Sequence, residues 1–249
     1  AGIAPGTVED IIVLPWNDID VLTDALDRHR DQVAAIITEP VMCNTNCIMP
    51  RPGYLEEMRR LCDERGIVLI FDEVITGFRL ALGGAQEFFG VTPDLSTFAK
   101  AMAGGFPISM LAGKREMMGL IEDGTVMHGG TVNSNVMCMA ATEAALARLM
   151  EDGGAAYKHL YSLGTRLMEG LRERARAHEI DVLVQGPGPA FHLSFTDASE
   201  ITDYRSHKAN TDPDLYARFR QLMLEQGVRL TGSGIWFLST AHDEEDVAR

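Results

Sequence analysis

The run Val68-Leu69-Ile70-Phe71, closed by Asp72-Glu73, constrains this chain more than any other segment. A short apolar stretch bounded by Gly66 on one side and two acids on the other reads as a buried strand of a parallel sheet. Upstream, Tyr54 to Arg65 is amphipathic and ends at Gly66, a favourable helix C-cap. Before it, Val33 to Thr38 is a second short apolar run, stopped by Glu39-Pro40, and Pro50, Pro52 and Gly53 mark the intervening loop. Strand, helix, strand in this compass is a βαβ unit. The expected class is therefore α/β, with a mainly parallel sheet sandwiched by helices. An acid at the carboxyl end of such a strand stands where open α/β sheets bind ligands.

The rest of the chain supplies the surrounding pattern. Asn17 or Asp18 can cap a helix carrying Ile19, Leu22, Ala25 and Leu26. Asp94 to Ala99 reads as a short strand leading to Lys100, and Gly104-Gly105 precede another at Ile108 to Ala112. Residues 135–150, rich in Ala, Met and Leu, read as a buried helix with Met137, Met139 and Met150 in its core face. Residues 154–177 form a more charged helix. After Gly186-Pro187-Gly188-Pro189, strand-like segments at 190–196, 228–231 and 235–240 flank a helix near 213–226. The division expected is a large domain over 1–179 and a small C-terminal α+β domain over 180–249.

Composition narrows the functional classes. Acidic residues outnumber basic ones by 36 to 22, and a net charge of −14 repels phosphate backbones, so no nucleic-acid partner is expected. No apolar run is long enough to span a bilayer, so no membrane association is expected. Four cysteines in 249 residues point to a reducing, cytoplasmic compartment and not to a disulfide framework. Cys43 and Cys47 lack a second Cys or His pair at zinc spacing, so no metal is expected. His128, before Gly129-Gly130-Thr131, reads as a hydrogen-bonded loop residue, and Arg79 as either structural or near a substrate.

Two chemistries compete for Asp72. A Walker B strand would need a GxxxxGK[ST] loop upstream. None stands in this sequence, and the Gly113-Lys114 pair is followed by Arg115. The alternative pairs Asp72 with Lys100, which ends the apolar stretch Leu95 to Ala99. A lysine among apolar neighbours is desolvated, and its freed amine forms Schiff bases with aldehydes such as pyridoxal 5′-phosphate (PLP). That cofactor needs an acid to keep its ring nitrogen protonated, a part Asp72 can take.

Taken together, Phe71-Asp72-Glu73-Val74-Ile75-Thr76-Gly77-Phe78-Arg79, then Lys100 with its Gly-Gly-Phe-Pro stretch, then Gly130-Thr131, resemble the class III aminotransferases of PLP fold type I. The branch most alike includes glutamate-1-semialdehyde aminomutase. Its Glu-Pro-Val loop is similar to Thr38-Glu39-Pro40-Val41-Met42-Cys43-Asn44, and its small-domain strand to Phe237-Leu238-Ser239-Thr240-Ala241-His242. Asn44, Asp72 and Lys100 follow one another at equal intervals of 28 residues.

The resemblance implies the roles. Lys100 is the Schiff-base lysine and the acid–base that moves the substrate proton. Asp72 pairs with the pyridinium nitrogen, Val74 packs on the ring, and Asn44 bonds the ring 3-hydroxyl. Thr131 binds the cofactor phosphate of the neighbouring subunit, which implies a homodimer. The implied function is transfer of an amino group from an amine or amino acid to a keto acid. An aminomutase, or a non-catalytic piece of such an enzyme, is the alternative. The aminomutase carries a small-domain glutamate where Gly234 stands here, and many relatives carry an arginine near the position of Ser233. The first departure favours the aminotransferase. Relatives are longer, so the chain, opening at Ala1-Gly2-Ile3 and closing at Glu244 to Arg249, reads as lacking an N-terminal part and a last helix.

Overall fold

A computed structural model describes residues 5–249, so the opening Ala1-Gly2-Ile3 lies outside the described residues. Helix α1 (Ile19–Arg28) starts where Asp18 accepts a hydrogen bond from the Val21 amide, the expected cap. Strand β1 (Ala35–Thr38) follows, then α2 (Tyr54–Arg65) and β2 (Val68–Asp72). Helix α2 ends at Gly66, whose φ of +66° lets its amide return to the Cys62 carbonyl. Its apolar stripe of Leu55, Met58, Leu61 and Cys62 packs with Leu22 and Leu26 of α1 onto Leu69 and Phe71. Each such side chain contributes roughly 1.5–3 kcal/mol on burial, which fixes both helices to this face of the sheet.

Short helix α3 (Gly84–Phe89) leads to β3 (Leu95–Phe98), β4 (Met110–Gly113) and α4 (Arg115–Glu122). The sheet order is β1-β2-β3-β4; the first three are parallel and β4 is antiparallel. Asp94, just before β3, is an ionic hub at the opposite end of the sheet from Asp72. It accepts from Arg59 at 2.8 Å, from Lys114 at 2.6 Å and from the Leu69 amide at 2.7 Å. Burial pushes this carboxyl up, but those three bonds outweigh it and bring it to about 2. Lys114 is thereby a structural lysine.

Among the described residues the two faces of this sheet are packed unequally: Leu69 and Phe71 are buried, whereas Val68 and Ile70 are half-buried and Ile37 is exposed. One expectation nearby does not hold. Helix α5 (Val136–Met150) forms as expected but is not buried; only Cys138 is, and Met137, Met139 and Met150 are exposed. It packs on the turn after β3 and on the next helix, which leaves Ala145, Leu146 and Leu149 half-buried and the Val136 and Met137 side chains exposed.

Helix α6 (Ala155–Ala177) crosses to a second sheet of β5 (Val182–Gln185), β6 (Ala190–Phe195) and β7 (Ile235–Phe237), all antiparallel. Every residue of central β6 is buried. Helix α7 (Tyr204–Asn210) begins at a capping box on Asp203, and α8 (Pro213–Glu225) lays Tyr216 and Phe219 against Phe195 and Trp236. The segment 228–231 is not a strand: it follows Gly227, at φ +84°, and runs irregularly into the loop before β7. Helix α9 (Glu244–Ala248) closes the chain, capped by Asp243.

Candidate active site

The parallel register of β1 and β2 sets Thr38 beside Phe71, so Glu39 and Asp72 leave the same edge of the sheet. Asp72 pairs in register with Thr97 of β3, and Lys100 follows three residues later at that strand's tip. The carboxyl ends of β1, β2 and β3 thus collect Glu39, Asp72 and Lys100 along one rim, where the strands' side chains run out into a loop cluster.

Asp72 is half-buried and held in place. Its Oδ1 accepts from the Val74 amide at 3.0 Å and from the Thr97 hydroxyl at 3.4 Å, while Oδ2 has no hydrogen-bond donor among the described residues. Val74 is half-buried beside it. The neighbouring acid has a different task. Glu73 is fully buried and accepts from the Ala85 and Gln86 amides at 2.5 and 3.0 Å and from the Thr76 hydroxyl at 3.0 Å. It ties the start of α3 to the sheet; burial raises its pKa despite these bonds.

Asn44 is exposed in the loop after β1. Its Nδ2 donates to Glu39 Oε1 at 3.2 Å, and the Cys43 amide donates to Glu39 Oε2 at 3.1 Å. An ionised carboxylate only accepts, so Glu39 fixes the Asn44 amide with its nitrogen on the Glu39 side and leaves the second N–H free. Burial raises the pKa of Glu39, the bonds from Asn44 pull it back, and the nearby charge of Asp72 pushes it up again. Sequence reasoning quoted Glu39 only as part of a motif; its orienting role was not legible, because it depends on a loop folding back on its own strand. That loop is tight. Met42 pairs with Ile48 in an antiparallel bridge, and Asn46 and Cys47 both sit at positive φ. Cys43 and Cys47 fill its interior, and both are free thiols.

Lys100 differs from expectation in its surroundings. It is exposed, and not desolvated by its apolar sequence neighbours. Residues along a strand point alternately to opposite faces, so Leu95 to Ala99 do not surround it. Instead the chain turns at Lys100, with φ at +41°, into a 3-10 turn over Lys100–Ala103. A non-glycine residue in this region is strained by about 1–3 kcal/mol, and such residues cluster at functional sites. Thr131 is not gathered with the others: it is exposed in the turn before α5 and bonds none of Asp72, Asn44 or Lys100. His128 is likewise exposed, and the hydrogen bond expected for it is absent among the described residues. No group of described residues could hold a metal ion.

The region after β2 is closed by aromatic clips. Tyr157 and Tyr161 of α6 donate to the carbonyls of Phe78 and Leu80 at 3.2 and 2.9 Å. Arg79 lies 4.5 Å over the Phe237 ring and donates through Nε to the Ile75 carbonyl. Burial lowers its pKa.

The sequence pattern of the family described as Aminotransferase class-III matches residues 11–242. The chain belongs to the class III aminotransferases. An ω-transaminase from Sphaerobacter thermophilus superimposes with a TM-score of 0.91 at 32% identity, over 100% of this chain and 57% of that one. A glutamate-1-semialdehyde-aminomutase from Pseudomonas aeruginosa PAO1 gives 0.87 at 25% identity, again over 100% and 57%. A β-phenylalanine aminotransferase from Variovorax paradoxus gives 0.85 at 28% identity, over 95% and 54%. The chain thus spans little more than half the length of these solved relatives. Its four-stranded, mainly parallel sheet and small antiparallel sheet share the aminotransferase fold.

Proposed function

We propose that this class III aminotransferase chain carries the lysine side of a PLP site and serves transfer of an amino group from an amine or amino acid to a keto acid. The observation that carries the reading is the collection of Asp72, Asn44 and Lys100 around the ends of β1, β2 and β3. The donor set fits the cofactor. A pyridinium nitrogen needs a carboxylate oxygen with no other donor, which Asp72 Oδ2 supplies. A ring hydroxyl needs a donor, which the second N–H of Asn44 supplies. An aldehyde needs a reachable primary amine, which Lys100 supplies. Val74, two residues past Asp72 and half-buried, would pack on the ring.

When bound, PLP supplies an electron sink for the pair released from the substrate Cα–H bond. The chain's own residues do the rest. Lys100 would hold the cofactor through its amine and, when that amine is free, would carry the substrate proton. Asp72 would hold the ring nitrogen, and the Val74 N–H and the Thr97 hydroxyl fix its carboxylate in one orientation. Asn44, oriented by Glu39, would offer its other N–H to the ring hydroxyl. Thr131 stands ahead of α5, exposed and free to reach the phosphate of a second copy, which is why the assembly we propose is a homodimer. Four free thiols accord with a cytoplasmic setting, and no helix of the described residues is long and apolar enough to cross a membrane. We place the boundary between the large and small domains near residue 180, ahead of β5.

Gly234 favours the aminotransferase over the aminomutase. It sits at φ +92°, and a Cβ there would overlap the ring of His192. A glutamate at this position and His192 in its present place exclude one another, so the aminomutase's small-domain carboxylate has no room here.

Adding PLP should give a visible absorbance band, and borohydride should fix the cofactor on Lys100. Lys100→Ala should abolish both. Peptide mapping that finds the label on another lysine overturns the assignment.

A further inference from the structure

The loop that carries Asn44 is joined to the second sheet by a buried polar chain. Asn46, fully buried at the loop's apex, meets the Ser194 hydroxyl at 2.6 Å through its side-chain amide. The Ser194 hydroxyl lies 3.1 Å from His192 Nδ1, and His192 Nε2 lies 2.7 Å from the Ser233 carbonyl. Gln185 donates through Nε2 to the Asn46 backbone carbonyl at 3.0 Å and to the Ile201 carbonyl at 3.3 Å. Ser194 and His192 are both nearly inaccessible to water. Asn46 itself holds φ at +61°, a conformation that a free loop would leave readily.

Counting hydrogens gives the chain a direction. A carbonyl accepts only, so His192 Nε2 must carry its proton toward Ser233. Burial keeps the ring neutral, so Nδ1 is an acceptor and takes the single Ser194 hydroxyl proton. Ser194 then needs a donor, which the Asn46 amide nitrogen provides once the amide is turned with nitrogen toward serine. The opposite orientation leaves Asn46 Nδ2 buried without any partner. The turned orientation leaves instead a carbonyl oxygen, which is less costly to leave unmet. Asn46, Ser194 and His192 then donate in one direction, from loop to second sheet, while Gln185 donates back to the loop, and the Ser233–Gly234 turn at the far end is kept open by the missing side chain of Gly234.

We infer that Asn46, Ser194, His192 and Gln185 are positioning residues: the second sheet holds the 41–48 loop, and through it Asn44, in register with the cofactor ring. The inference rests on the reading of Asn44 and Lys100 given above. None of the four touches the reacting atoms. Their effect is on how sharply Asn44 presents its free N–H two residues away. A donor at the ring 3-oxygen draws charge from it, so a loosened Asn44 raises the pH at which the lysine-linked cofactor loses its proton.

The test uses Ser194→Ala in the PLP-loaded protein, read by the pH midpoint of the visible band, and in the apoprotein, read by amide exchange over 43–47. The expected result is an upward shift of about half a pH unit or more, several-fold weaker PLP binding, and at least tenfold faster exchange in that loop. Leu193→Val, buried on the same strand but off the polar chain, controls for stability: it should lower Tm and leave the midpoint in place. Should Ser194→Ala fail to fold, Gln185→Met removes the other tie to the loop at constant size and should shift both readings in the same direction. A wild-type protein that loads PLP normally, with midpoint and exchange unmoved in the variant, overturns this inference alone. A wild-type protein that takes up no PLP on Lys100 overturns the cofactor reading, and this inference with it.

Discussion

His192 is a buried base that folding keeps from charging. Burial first, then the His207 ring 5.9 Å away, lower its pKa from 6.5 to about 4. The unfolded chain therefore binds a proton at a pH where the folded chain does not. The stability tied to neutral His192 is present in full above pH 6.5 and is lost as pH falls from there toward 4. The shift corresponds to on the order of 3 kcal/mol at the acid end of that window. Urea unfolding at pH 7.5 and at pH 4.5 should show the loss, and His192→Gln should flatten the slope between them. An unchanged slope in the variant would assign the acid sensitivity to other groups. At this scale the sequence was informative where a residue's place on a strand decides it: Asp72 ends β2 and Lys100 follows the neighbouring β3, as reading those apolar runs as strands implied. It was silent on Glu39, Asn46 and Ser194, because their roles arise from pairings between residues up to 148 positions apart.

Elements were legible where their own pattern decides them. The periodic stripe and Gly66 bound α2, and Asp18 bounds α1, because caps and stripes are local. Strand β4 and the irregular 228–231 segment were harder: both are short apolar runs whose state depends on which neighbour offers a free ladder edge. Helix α5 shows the opposite limit. Its composition predicted a helix correctly but not its burial, because an apolar helix is buried only if something is there to pack on it. Helix α6 is fixed by two clips whose worth can be measured. Tyr161→Phe and Tyr157→Phe each remove a phenol donor to a loop carbonyl, leaving the Leu80 or Phe78 oxygen without it. Each should cost about 1 kcal/mol in chemical denaturation. The residues are four apart on one helix and tie the same loop, so their double variant should cost less than the sum of the two. Full additivity would show that the loop does not move as a unit.

At the scale of the whole chain, the exposed apolar face of α5 is the surface that the proposed homodimer would use. Val136 is 79% exposed and Met137 67%, with Val132 and Met127 beside them in sequence, also exposed. A net charge of −14 sets like-charged copies against one another, so association has to be driven by that apolar surface against electrostatic repulsion. Salt screens the repulsion and leaves the apolar contribution, so raising ionic strength should tighten self-association. Val136 and Met137 open the helix, where the Asn135 side chain caps the amides of Met137 and Cys138. Acids are favourable in a first helical turn, so Val136→Asp with Met137→Asp places charge on the proposed contact without weakening α5. Sedimentation equilibrium should show the double variant shifted at least tenfold toward monomer, with its circular dichroism unchanged. A variant that keeps the wild-type association constant would show that α5 does not form the contact, and Thr131, which stands just ahead of it, would then lose its route to a second copy's phosphate site.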